Sequence, residues 1–137
     1  MNNIKEIQSV LESWAEATRK GRLDNVLDRH AQDAMIYDVL PPLLYKGIEA
    51  YRASWGDWQP ELEGEGEFAL EDLQISASDN IGYAFGLLRC GGTYPDGRKL
   101  SDLVRATFCL EKIRGDWTIT HQHISKPFGA SSPNTQQ

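Results

Sequence analysis

Three side chains in this sequence are placed to move protons: Asp38, His121 and His123. Asp38 lies in Met35-Ile36-Tyr37-Asp38-Val39-Leu40, an apolar run. A carboxylate withdrawn from water is a stronger base, so this setting suits a general base working near neutral pH. A strand-end aspartate that caps the following turn, or pairs with a surface cation, has the same local sequence. His121 and His123 are two residues apart, and on a strand such a pair points to one face. Two imidazoles on one face can pass protons or ligate a metal. A metal needs a third ligand, and no Cys or His signature supplies one, so neither a metal nor another cofactor is expected. The alternative is two hydrogen-bonded histidines lining a polar part of the core or a subunit contact. His30 has no partner in sequence and reads as a helix-end residue.

Around these groups the sequence offers a wall of aromatic rings. Trp14, then Tyr51, Trp55 and Trp58, recur at helical spacing, which normally means core packing and also suits a pocket lining. Phe108 belongs to Val104, Ala106, Phe108 and Leu110, the apolar side of an alternating run. Tyr83, Phe85, Leu87 and Arg89 alternate with Gly82, Ala84 and Gly86, and the bulky set is expected to face inward. An inward Arg89 would meet an anionic ligand group; an outward one is a solvated charge. Cys90-Gly91-Gly92-Thr93 opens no helix and so is no phosphate loop, and no nucleophile elbow is present.

The elements that must position these residues follow from period and punctuation. Ile4, Ile7, Leu11, Trp14 and Thr18 mark one face of a helix over 4–20, with Asn3 and Glu6 as a reciprocal cap and Gly21 as the stop. A second short helix is expected over 24–30, a strand over 34–39, and a third helix over 47–58. From Glu65 the period becomes two, giving strands over 68–76, 81–90, 100–112 and 117–125. Asp79-Asn80, Pro95-Asp96-Gly97 and Gly115-Asp116 supply the turns. This is an α+β pattern, in which three N-terminal helices pack on a strongly curved, mostly antiparallel sheet and close a cone around a pocket. If Gly115-Asp116 is a two-residue turn, Leu110 opposes His121 and Phe108 opposes His123, so Trp117, Ile119, His121, His123 and Ser125 share the concave face. A three-residue turn would instead set the histidines beside Arg105, Thr107 and Cys109. The first register is preferred because it matches Trp117 and Ile119 with the apolar set.

Composition bounds the partners. The 137 residues suit one domain, expected over 1–128, with a polar tail over 129–137. A net charge of −6 argues against a nucleic-acid or anionic-membrane partner, since both need a basic footprint. No apolar run reaches the length of a membrane span, and the polar N-terminus is no secretory signal. Cys90 and Cys109 fit no metal spacing and read as reduced thiols, which points to the cytoplasm; a disulfide would require their strands to be neighbours.

Two stretches resemble known families. Ala31-Gln32-Asp33-Ala34-Met35-Ile36-Tyr37-Asp38, running to Gly47 and the next helix, is similar to the segment of ketosteroid isomerases and SnoaL-like cyclases that carries their general-base aspartate. Arg105-Ala106-Thr107-Phe108, Gly115-Asp116-Trp117 and His121-Gln122-His123-Ile124-Ser125-Lys126-Pro127 resemble the C-terminal strands of SnoaL-like, ketosteroid-isomerase-related proteins of the nuclear transport factor 2-like superfamily. They also resemble the association domain of calcium/calmodulin-dependent protein kinase II. The resemblance covers nearly the whole chain and implies a cystatin-like cone with Asp38 as the base. It also places Trp14 at the oxyanion tyrosine and Ala106 near the protonated aspartate of the isomerases. Each preorganised donor lost at an oxyanion costs on the order of 3 kcal/mol, which argues against steroid isomerisation. In the preferred register His123 could replace the missing donor.

The expectation is therefore a pocket for a small, mostly apolar carbonyl metabolite. Asp38 would be the base, with His121 and His123 as donors or shuttles. Trp14, Tyr51, Trp55, Tyr83, Phe85, Arg89 and Phe108 would bind the substrate. The competing expectation is a ligand-binding or oligomerisation module without catalysis. In either case a homodimer would form through the convex sheet face bearing Arg105, Thr107, Thr118 and Thr120.

Overall fold

The computed structural model describes residues 2–58 and 63–129. The expected tail therefore lies outside the described residues beyond Gly129. In order, the elements are α1 (Asn3–Arg19), β1 (His30–Tyr37), β2 (Tyr45–Lys46), α2 (Ile48–Trp58), β3 (Glu63–Ala77), β4 (Ile81–Thr93), β5 (Lys99–Ile113) and β6 (Asp116–Ser125). The strands form one curved, unclosed sheet in the order β2-β1-β6-β5-β4-β3, antiparallel except for the parallel β1–β6 pair. The expected α+β class and curved sheet are present.

Helix α1 buries Ile7, Leu11 and Trp14 of the expected stripe together with Val10, while Ile4 is exposed. Its cap is Asn2 rather than Asn3: the Asn2 carboxamide oxygen accepts from the backbone of Ile4 and Lys5 at 3.0 and 3.2 Å. Asn3 instead ties the helix to the sheet, its Oδ1 accepting from Lys112 Nζ and Trp117 Nε1 at 2.9 and 3.1 Å. At the other end Gly21 takes φ +70°, and the amides of Gly21 and Arg22 close back on Thr18 and Ala17. This is the Schellman stop that the glycine predicts.

The described residues hold two helices, not three. The segment expected as a helix over 24–30 is a chain of turns closed by short-range bonds such as Asn25 N–H to Arg22 and Asp28 N–H to Asn25. It is too short to repay helix nucleation, and Val26 and Leu27 are buried from the turns just as well. His30, expected at a helix end, is the buried first residue of β1. The helix expected over 47–58 is α2; Tyr51 and Trp55 are buried on its inner side, and the Trp58 side chain lies outside the described residues.

Two bulges decide which face each strand presents. In β3, Glu71 pairs with Leu87 and Gln74 with Phe85, so one extra residue is accommodated beside Gly86, with Asp72 at φ +54°. In β6, Leu110 pairs with Ile119 but Cys109 pairs with His121, leaving Thr120 without a partner in the ladder. The β5–β6 turn itself is Arg114-Gly115, both at positive φ and flanked by the Ile113–Asp116 pair; it is shifted by one residue from the expected Gly115-Asp116.

Gly86 faces the first bulge so closely that an added Cβ would lie 2.8 Å from the Glu71 carbonyl oxygen and 3.1 Å from Leu73 Cα, both backbone atoms that cannot swing aside. Gly86→Ala is expected to cost about 1–3 kcal/mol, the usual range for overpacking. Urea unfolding would check this, and an unchanged midpoint would mean that the bulge relaxes freely.

Candidate functional site

Between the helices and the inner face of the sheet lies a cavity of about 530 Å³. Its walls are mainly apolar: Trp14 from α1, Trp55 from α2, Leu88 from β4, Val104 from β5 and Ile124 from β6. Trp14 is held in place by edge-on contacts with Phe68 and Phe108, both with ring centroids at 5.1 Å. Such a lining with a few placed polar groups is the usual make-up of a small-molecule site.

Asp38 follows β1 directly and lines this cavity. One oxygen, Oδ1, accepts from the next backbone amide, Val39 N–H, at 2.7 Å, as a strand-end cap would. The other, Oδ2, accepts from the Tyr51 hydroxyl at 2.9 Å. Burial, and then the negative charge of Asp38, push the Tyr51 phenol well above its ordinary pKa, so it stays protonated and donates. α2 thus delivers a neutral donor that orients the carboxylate and leaves its remaining lone pairs to the cavity.

A second polar group is the Asp102–Lys126 ion pair, at 2.5 Å, with Asp102 Oδ1 also accepting from Leu103 N–H. Cys90 lies on the same wall; burial, followed by the Asp102 carboxylate, raises its thiol to about 11 despite Lys126. Cys90 is therefore a neutral, unreactive thiol near neutral pH. It is opposite Asp102 on β5 whereas Cys109 is opposite Tyr83 on β4; although their strands are neighbours, both cysteines are free.

Gln122, wholly buried, lines the cavity from β6. His30 Nε2 donates to its Oε1 at 2.7 Å. Gln122 Nε2 and His30 Nδ1 have no hydrogen-bond partner among the described residues.

The expected site divides between the two faces. Asp38, Trp14, Tyr51 and Trp55 come together in the cavity. Phe108 is inward and fully buried, but it braces Trp14 and does not line the cavity. Tyr83 and Phe85, expected inward, are exposed on the outer face and stack on each other at 6.3 Å. The reason is space: β4 turns Gly82, Ala84 and Gly86 inward, and a Cβ at Gly82 would come within 2.7 Å of Ile7 Cδ1 on α1. Arg89 also faces outward and is paired with Glu71 at 2.7 Å.

The histidines likewise leave the site. His121 and His123 are on the outer face beside Cys109 and Thr107 and flank Tyr37, with ring centroids at 4.7 and 5.2 Å. His121 Nδ1 donates to the Met35 carbonyl at 2.7 Å. The extra residue at Thr120 flips the strand after Ile119, so Trp117 and Ile119 face in before it and Gln122 and Ile124 face in after it. The expected proton relay from Asp38 to the imidazoles does not exist, and the role sketched for His123 as an oxyanion donor is excluded with it.

Gln122, Cys90 and the Asp102–Lys126 pair were missed. The signal for Gln122 was present: Ile119 and Ile124 are both apolar but five apart, so they cannot share a face of a regular strand.

A curved sheet covered by helices on one face is the architecture of the cystatin-like α+β proteins. The chain belongs to the SnoaL-like domain family, whose pattern matches residues 7–129. It is similar in structure to an NTF2-like protein of unknown function from Pseudomonas putida KT2440, with 29% identity, a TM-score of 0.79, and 98% of this chain and 91% of that one covered. It also shares its fold with a ketosteroid isomerase-like protein from Erwinia carotovora atroseptica (13% identity, TM-score 0.74, 93% and 98% covered). The association domain of C. elegans calcium/calmodulin-dependent protein kinase II has the same fold (12% identity, TM-score 0.72, 89% and 94% covered). No curated protein matches the chain. Among the described residues no helix is long and apolar enough to cross a membrane.

Burial holds the His30 imidazole below its ordinary value of 6.5, while the Gln122 bond only partly opposes this. The unfolded chain therefore takes up this proton first, and the stability tied to neutral His30 is lost as pH falls through about 6.5 toward the folded value. Melting curves from about pH 7.5 to about pH 5 should show a steeper loss in the wild type than in His30→Gln. Identical slopes would contradict the burial argument.

Proposed function

We propose that the cavity binds a small, mostly apolar carbonyl metabolite and that Asp38 accepts a proton from the carbon next to its carbonyl. The chemistry would be of the isomerase, cyclase or hydratase kind, run without a cofactor. The observation that carries this reading is the Asp38 carboxylate at the edge of a 530 Å³ apolar cavity, fixed by the buried Tyr51 hydroxyl at 2.9 Å. A positioned carboxylate in an apolar setting is a competent general base, and the Tyr51 hydrogen bond holds it in one orientation. The ketosteroid isomerase-like neighbour supports the fold side of the reading but not the substrate, because this architecture hosts many functions.

The direct test is deuterium exchange at the α-carbon of a bicyclic ketone such as 1-decalone, followed by proton NMR in D₂O. The wild type is expected to accelerate exchange, and Asp38→Asn to lose about 100-fold or more of that acceleration while still binding the ketone, the usual contribution of a general base. Equal exchange in the two proteins would remove Asp38 from the chemistry.

A second reading, an assembly module, rests on the outer sheet face. There Ile81, Tyr83 and Phe85 are exposed next to the strand carrying Arg105 and Thr107 and the row of Tyr37, His121 and His123. Exposed aromatic clusters of this kind mark contact surfaces, and a homodimer through this face would cover them. Light scattering should then report a dimer in the wild type and a monomer in Phe85→Asp. A monomeric wild type at working concentration would dispose of the idea.

A further inference from the structure

The least explained feature of the cavity is the amide of Gln122. Its oxygen accepts from His30, which is not a lining residue of the cavity. The other end of the same planar group, Nε2, is buried and has no partner among the described residues. Leaving such a donor unsatisfied is costly, so a buried amide of this kind calls for an acceptor that the described residues do not supply. The neighbours of Gln122 across the ladder, Ile36 on β1 and Phe108 on β5, are apolar and cannot provide one.

We propose that Gln122 is the oxygen-recognition group of the cavity, donating from Nε2 to a neutral carbonyl oxygen of the ligand while His30 fixes the amide in that orientation. The inference rests on the reading of the cavity as a site for an apolar carbonyl compound, and it names the residue that selects the oxygen. An Nε2–H donor selects an acceptor. The carboxylates around the cavity, Asp38, Glu67 and Asp102, are matched in number by the cations Arg19, Lys20 and Lys126, so the lining as a whole does not call for a charged ligand. Ketones, esters, lactones and amides present such an acceptor. His30 is a positioning residue. Kept neutral by burial, it presents one N–H to Gln122 Oε1 and so leaves only the amide nitrogen to face a ligand.

The test uses two matched probes, 1-decalone labelled with ¹³C at the carbonyl and decalin, which has the same bicyclic frame without oxygen. In the wild type the side-chain amide signal of Gln122 is expected to move with decalone and not with decalin, and the bound carbonyl carbon to shift downfield. Gln122→Leu should weaken decalone binding about tenfold, the loss of one hydrogen bond, return the carbonyl carbon toward its free position, and leave decalin binding intact. Retained decalin binding also shows that the variant folds. His30→Leu should reduce the preference for decalone over decalin without weakening decalin. An unmoved Gln122 amide, or full decalone affinity in Gln122→Leu, overturns the proposal while the cavity reading stands. Failure of the wild type to bind either probe overturns both.

Discussion

The arrangement of the site depends on one extra residue in the last strand. Thr120 has no partner in the β5–β6 ladder, and its hydroxyl donates to the Cys109 carbonyl instead. Because strand side chains alternate, this single insertion exchanges the two faces of everything after it. Without it, His121 and His123 would share the inner face with Ile119, and Gln122 and Ile124 would be in solvent. With it, the cavity receives an amide and an isoleucine, and the imidazoles pack on Tyr37 outside. The parallel pairing with β1 then fixes Ile36 beside Gln122 and brings the end of β1, and so Asp38, to the cavity.

What results is a chamber of low polarity with polar groups of separate kinds. Asp38 is oriented by a phenol that burial keeps protonated. Gln122 is oriented by an imidazole that burial keeps neutral. In both pairs the partner is supplied by a different element from the group it holds, α2 for Asp38 and β1 for Gln122, so site geometry and fold stability are coupled. Asp102 and Lys126 neutralise each other on the same wall. The proposed ligand, apolar over most of its surface with one neutral oxygen, is matched to this composition.

Much of the fold was legible in the sequence. The period change near Glu65, the capping glycine at Gly21 and the turn residues around Asp79 and Pro95 located most elements to within a few residues. The short helix after Gly21 was overread because turns bury Val26 and Leu27 without helical bonds. The inward face of β5 was plain from Val104, Ala106, Phe108 and Leu110. β4 was misread because residue size was taken as a sign of burial. Where a helix presses on a strand, small residues face it and bulky ones are pushed out, and Ile7 against Gly82 is that case. β6 was misread because a regular alternation was assumed through a bulge, although the spacing of Ile119 and Ile124 already ruled that out. Of the site itself, Asp38, Trp14, Tyr51 and Trp55 could be read from strand and helix patterning. The face of Gln122 was hinted at by that spacing, but its role was not, because the role of a neutral amide depends on its partner, which is a tertiary fact.

The measurement that bears most directly on this account is the pattern of nuclear Overhauser contacts between bound 1-decalone and the protein. Contacts to Tyr51, Gln122 and Ile124, with none to the rings of His121 or His123, are what the displaced strand requires. Contacts to either imidazole would place the histidines inside and contradict the account.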